Sequence, residues 1–247
     1  MNFKRSDFLR SARACDNHVF CFIYLKDNIL QGRVELLNYE LLGELFEYCL
    51  DADYVTVENG GSYFVAVNGD ALYIFFEKSN GAEDWMNNLS YHAVSRGRLG
   101  DEWYCHEGFL TVFNSVLPYL EPYIKDPSIQ SIITVGYSHG AALTLLAHEE
   151  IYQMRPDIRD NCFSFGFGCP RVVFGTVRDE GARWRNFYMV RNGADAVTHL
   201  PPRALGYRHV GNLVRIGENN SYGGTTAHKA ENYITELKIA SENGKQA

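Results

Sequence analysis

The sequence predicts a single α/β domain, in which a mainly parallel sheet is covered by helices on both faces. Three observations carry that expectation. Apolar, β-branched runs alternate with helical periodicities from residue 71 onward, as in a parallel sheet whose crossovers are helices. No repeat, low-complexity stretch or Pro/Ser-rich linker divides the 247 residues, and one large α/β domain accommodates that length. Residues 132–147 run from an apolar β-branched stretch through Gly136-Tyr137-Ser138-His139-Gly140 into a small-residue helix. The expected domain therefore spans residues 1–247, with a helical N-terminal segment over about residues 1–50.

The elements follow in order. Leu41, Leu42, Leu45, Phe46 and Leu50 sit at helical spacing. Strands are expected at residues 53–58, 62–67 and 71–76, separated by the hairpin turns Asn59-Gly60-Gly61 and Asn68-Gly69-Asp70. Residues 77–104 are polar and contain glycine, and no element is assigned there. A helix starts near Glu107, with Phe109, Leu110, Phe113, Val116, Leu117 and Leu120 on one face. Pro118 and Pro122 weigh against its second half. The helix after Ser138 must stop before Pro156. Residues 162–167 and 186–191 read as strands, residues 210–216 as a further candidate, and residues 227–241 as the last helix.

The formal net charge of −7 argues against a nucleic-acid partner, because phosphate binding needs clustered Lys and Arg. It leaves a neutral ester or lipid substrate open, including transient contact with a lipid surface. No apolar run reaches the length of a membrane span. Residues 19–25 follow Arg5, Arg10 and Arg13, yet the run is short, Lys26-Asp27 ends it and no small-residue cleavage site follows. It reads as a buried segment rather than a signal peptide. The six cysteines are scattered without a C-x-x-C pair, which suggests buried, reduced thiols in a cytoplasmic chain. Neither a metal nor a cofactor is expected.

Gly-x-Ser-x-Gly between a strand and a helix is a nucleophile elbow: the turn pushes the serine side chain out of the fold toward a helix N-terminus. Ser138 is the candidate nucleophile. A serine hydroxyl needs a base to take its proton and a third group to orient that base. Asp195 is the candidate acid, because it follows a predicted strand in the loop Asn192-Gly193-Ala194-Asp195. His199, His209 and His228 follow it. His199 lies only four residues beyond Asp195, too near to bridge to Ser138. His209 borders a strand and suits a structural role as well as a basic one. His228, at the start of the last helix after a Gly-rich loop, is the preferred base. The backbone N–H of His139 is one candidate oxyanion donor. Ser79, after the strand ending at Phe76, is the other, against the plainer reading of an ordinary polar loop.

Several segments, in order, resemble the fungal-type triacylglycerol lipase family, also called class 3 lipases. They are Phe76-Glu77-Lys78-Ser79 with Asp84-Trp85, His106-Glu107-Gly108-Phe109, the elbow over residues 136–143, residues 165–172, Asn192 to Asp195 with Leu200-Pro201-Pro202, and His228 with Tyr233. The resemblance covers about residues 55–235. It implies an α/β-hydrolase fold, hydrolysis of carboxylic esters, and an oxyanion role for Ser79. Glu77-Lys78 stands where the family usually has Arg-Gly, and His139 where it has Leu. Both departures bear on substrate preference. Asp195 to His228 is a short interval for the family and implies a trimmed loop. The family's interfacial enzymes carry an apolar lid, whereas residues 87–104 here hold His92, Arg96, Arg98, Asp101 and Glu102 among few apolar side chains. That favours an esterase acting on soluble or dispersed substrates. A non-catalytic relative that binds an acylated ligand, a phospholipase A and a thioesterase are the competing readings.

Overall fold

The computed structural model describes residues 38–58, 60–78, 91–97, 101–217 and 223–244. The part of the expected N-terminal helical segment before residue 38, residues 19–25 and Ser79 lie outside the described residues. Helix α1 (Tyr39–Asp51) opens on Asn38, whose side chain accepts a hydrogen bond from the Glu40 N–H at 3.0 Å. It buries Leu41, Leu42, Leu45, Phe46 and Cys49.

Among the described residues, seven strands form the main sheet. In spatial order they are β1 (Val55–Thr56), β2 (Ser62–Asn68), β3 (Ala71–Phe76), β6 (Ser131–Tyr137), β7 (Cys162–Phe167), β9 (Phe187–Asn192) and β12 (Asn212–Ile216). From β3 to β12 the pairings are parallel, while β1, β2 and β3 meander antiparallel. The strand expected over residues 53–58 shrinks to two exposed residues at the sheet edge.

Alternation along the strands divides the core between the two faces. Leu72, Ile74 and Phe76 of β3 face helices α2 (Glu107–Ile124) and α3 (His139–Met154). Ala71, Tyr73 and Phe75 face α1 and the last helix, α6 (Ala230–Gly244). Helix α2 runs through Pro118 and Pro122 despite the backbone donors they remove. Its buried face of Phe109, Phe113, Val116, Leu120 and Ile124 continues unbroken across both prolines, and apolar burial offsets the lost bonds.

Residues 93–106, largely within the polar stretch to which the sequence assigned no element, contribute two strands to a second sheet. β4 (Ala93–Arg96), β5 (Trp103–His106), β8 (Val173–Phe174) and β11 (Tyr207–Arg208) pair antiparallel in the order β11, β8, β5, β4. Trp103 is buried against Trp184, with ring centroids 5.3 Å apart, so it packs on the core rather than facing lipid. Glu149 of α3 ties this layer down by pairing with Arg183 at 2.9 Å and Arg96 at 3.5 Å.

Candidate active site

The parallel strands β3, β6, β7, β9 and β12 all end at one edge of the main sheet, where loops can bring distant residues together. Ser138 sits between β6 and α3 with φ 58° and ψ −119°. A non-glycine residue with positive φ is strained, and the surrounding packing leaves it no alternative. A Cβ at Gly136 would lie 2.2 Å from the Gly140 carbonyl oxygen, and one at Gly140 would lie 2.2 Å from that of Phe76. Only glycine at both positions lets strand and helix close this tightly.

Asp195 lies in β10 (Ala194–Asp195), just beyond β9. Bridges from Ala194 to Gly223 and from Asp195 to Gly224 hold the acid alongside the segment that leads into α5 (Gly224–Ala227). His228 occupies the junction between α5 and α6. The helix expected over residues 227–241 runs instead from Ala230 to Gly244, and the histidine lies in the break between it and the short α5.

The structure brings the three side chains into one chain of hydrogen bonds. His228 Nε2 is 2.8 Å from Ser138 Oγ, and His228 Nδ1 is 2.8 Å from Asp195 Oδ2. A carboxylate only accepts, so Nδ1 carries the proton and Nε2 offers a lone pair to the serine hydroxyl. All three side chains are buried: Ser138 is 1% exposed, Asp195 0% and His228 7%. Low local dielectric strengthens each of these bonds.

Residues beyond the three complete the geometry. Asp195 Oδ1 accepts from the Val197 N–H at 2.9 Å, and Oδ2 also accepts from the Tyr233 hydroxyl at 2.6 Å. That hydroxyl accepts in turn from the Asn192 N–H at 3.2 Å. Burial, and after it the Asp195 charge, pushes the Tyr233 phenol well above its ordinary pKa, so it remains a donor. Gly168, with φ 59°, packs against His228: a Cβ there would meet Cε1 at 2.8 Å. The sequence marked Tyr233 as part of a resemblance, and no local signal exposed its hydroxyl's partner. Neither Tyr137 nor Gly168 was singled out.

The other histidines separate cleanly. His199 Nδ1 pairs with the main-chain oxygen of Asp195 at 2.9 Å, away from the serine. His209 Nε2 donates to the Thr198 carbonyl at 2.8 Å, a structural role. His139, the first residue of α3, packs its ring 5.6 Å from that of Phe109. Burial, and then His106, lowers its pKa to about 4, so the side chain is neutral at neutral pH. Among the described residues, no cluster of His, Cys, Asp or Glu could hold a metal ion. No helix among them is long and apolar enough to cross a membrane.

The model of the lipase (class 3) family matches residues 73–205, more than half of the 247. The chain belongs to the class 3 lipases. A lipase of Rhizomucor miehei is 31% identical over 159 residues, which cover 60% of this chain and 42% of that protein. The secreted mono- and diacylglycerol lipase MDL2 of Malassezia globosa is 31% identical over 140 residues, covering 55% of this chain and 45% of that one. The matched stretch therefore spans less than half the length of either relative. The Rhizomucor miehei triacylglyceride lipase structure aligns with a TM-score of 0.58 and 26% identity, over 68% of this chain and 66% of that one. A further structure, of a triacylglycerol lipase whose catalytic centre is described as a serine protease triad, aligns at 0.57 with 26% identity and the same coverage. These neighbours establish the α/β-hydrolase fold.

The expectation of a cytoplasmic chain is corrected by the same relatives. MDL2, and the 27% identical LIP1 of Malassezia globosa, are named as secreted lipases. The cysteines do not report the compartment, for a physical reason. Cys49, Cys105, Cys162 and Cys169 are free and buried. A thiol with no second thiol in disulfide geometry stays unpaired in an oxidising compartment as in a reducing one.

Proposed function

We propose that the protein is a serine hydrolase that cleaves carboxylic esters of the acylglycerol or a related lipid class through an acyl-enzyme intermediate. The observation that carries this reading is the unbroken relay Asp195, His228, Ser138, at 2.8 Å per step and shielded from water. Ser138 Oγ attacks the ester carbonyl while His228 Nε2 takes its proton. The backbone N–H groups of His139 and Ser79 receive the oxyanion. The imidazolium, oriented and stabilised by Asp195, then protonates the leaving alcohol. Water then attacks the acyl carbonyl and gives a proton to His228, which returns it to Ser138 Oγ as the C–O bond to the serine breaks and the acid leaves.

The whole chain is read as one hydrolase domain, to whose described part helix α1 belongs. The secreted mono- and diacylglycerol lipases among its relatives support an exported enzyme acting on glycerides.

The test is burst kinetics on an activated ester, with fluorophosphonate labelling of the serine. Wild-type protein should release a stoichiometric burst and label at Ser138. Ser138→Ala should lose at least about 10³-fold in turnover and all labelling. Equal hydrolysis by both proteins would end the assignment. A panel of mono-, di- and triacylglycerols, phospholipids and acyl thioesters then fixes the substrate class.

A further inference from the structure

Tyr137, the residue before Ser138, touches the base in two ways. Its hydroxyl donates to the main-chain carbonyl of His228. Its ring stacks on the imidazole, with centroids 5.1 Å apart and planes 27° apart. Burial, and after it the Asp195 charge, raises the phenol's pKa, so the donor proton stays in place.

These contacts supply what the relay lacks. The bonds to Asp195 and Ser138 run out of opposite sides of the imidazole ring and stop it sliding. They restrain only weakly its rotation about the line joining the two partners. A ring stacked on the imidazole face opposes that rotation, and a bond to the His228 carbonyl holds the main chain from which the ring projects. The face of an aromatic ring also favours a neighbour that becomes cationic, as His228 does while it holds the serine proton. Because Tyr137 and Ser138 are covalently adjacent, one residue sets the nucleophile and the base relative to each other.

Tyr137 is itself held from behind. Phe46 of α1, 0% exposed, meets its ring edge-on at 5.2 Å and lies 5.5 Å from Tyr233 and 4.7 Å from Phe167. Helix α1 precedes the stretch matched by the family model, residues 73–205. We propose that Tyr137 is a positioning residue for the base and that Phe46 makes α1 part of the same support. This inference rests on the Ser138, His228 and Asp195 assignment.

Steady-state kinetics of Tyr137→Phe, Tyr137→Leu and Phe46→Leu on a soluble ester, in the full chain, test it, with Ser138→Ala as control. Near-ultraviolet circular dichroism confirms which variants are folded. Tyr137→Phe keeps the stack and loses the anchor, so kcat should fall about threefold to tenfold. Tyr137→Leu loses both, and kcat should fall about 30-fold or more, since small misplacements of reacting groups cost up to about 10²-fold. Phe46→Leu should fall less, about twofold to fivefold. In each case KM should stay within about twofold of wild type and fluorophosphonate labelling should slow in step with kcat. Wild-type kcat in folded Tyr137→Phe overturns the hydroxyl anchor. Wild-type kcat in folded Tyr137→Leu or Phe46→Leu overturns the role of the rings, as does a loss confined to KM. If Tyr137→Leu does not fold, Tyr137→Phe and Phe46→Leu decide. Residual burst in Ser138→Ala would strike the underlying assignment instead.

Discussion

The two faces of the main sheet hold the site by different means. On the α2/α3 face, Ser138 is placed by backbone alone, strained and clamped between Gly136 and Gly140 over a core dominated by Leu, Ile, Val and Ala. On the α1/α6 face, His228 and Asp195 are placed by side chains: Tyr137 and Tyr233, set among Phe46, Tyr73, Phe75 and Phe167. Steric exclusion is all-or-none, whereas hydrogen bonds and ring contacts are graded. The first face should therefore fail abruptly under substitution and the second by degrees.

Gly140→Ala gives the largest expected effect. Its Cβ would sit 2.2 Å from the Phe76 carbonyl oxygen and 2.7 Å from that of Glu77, with no flexible side chain to move aside. The protein should lose at least about 3 kcal/mol or fail to fold, as urea unfolding would read. A variant of wild-type stability would show that the elbow is not clamped by backbone.

Gly168→Ala probes the boundary between the two modes. It forces an alanine to φ near 59° and drives its Cβ to 2.8 Å from His228 Cε1 and 3.2 Å from Asp195 Oδ2. Stability should fall by about 1–2 kcal/mol, while kcat should fall about 10²-fold. Comparing kcat with the urea midpoint separates displacement of the base from general destabilisation.

Tyr233→Phe should act by degrees. Asp195 Oδ2 keeps His228 but loses its phenol donor, and the Asn192 N–H loses its acceptor. About 1–2 kcal/mol of stability and about tenfold in kcat should go, with KM unchanged. Loss in KM alone would argue that the tyrosine shapes substrate binding rather than the acid.

The last effect lies away from the site and appears only in acid. His148, 3% exposed on α3, pairs with Ser164 Oγ at 2.7 Å, and burial lowers its pKa from 6.5 to about 4. The unfolded chain takes up that proton below about pH 6.5 while the folded chain resists until about pH 4. Its contribution is therefore fully present above pH 6.5 and is lost as pH falls toward 4, by about 3 kcal/mol at pH 4. Buried His106, lowered to about 4 chiefly by burial, adds to the loss over the same window. Urea midpoints at pH 7, 5.5 and 4.5 should show a shallower fall in His148→Gln than in wild type. An identical slope would place the acid sensitivity elsewhere.

What the amino-acid order determined by itself was whatever is written locally. The apolar runs at 71–76, 132–137 and 162–167 and the flanks of Ser138 disclosed the parallel sheet and the elbow, because strand periodicity, turn glycines and helix starts act over a few residues. Asp195 and His228 could be ranked above their rivals because chain order along a parallel sheet limits which loops reach the catalytic edge. Tertiary structure alone decided the rest. The second sheet pairs strands of two to four residues, such as Trp103–His106 with Val173–Phe174, and segments that short carry no readable period. The hydroxyls of Tyr137 and Tyr233 find their partners 91 and 38 residues away. A buried tyrosine looks like any other apolar residue until the fold shows which polar atom its oxygen meets.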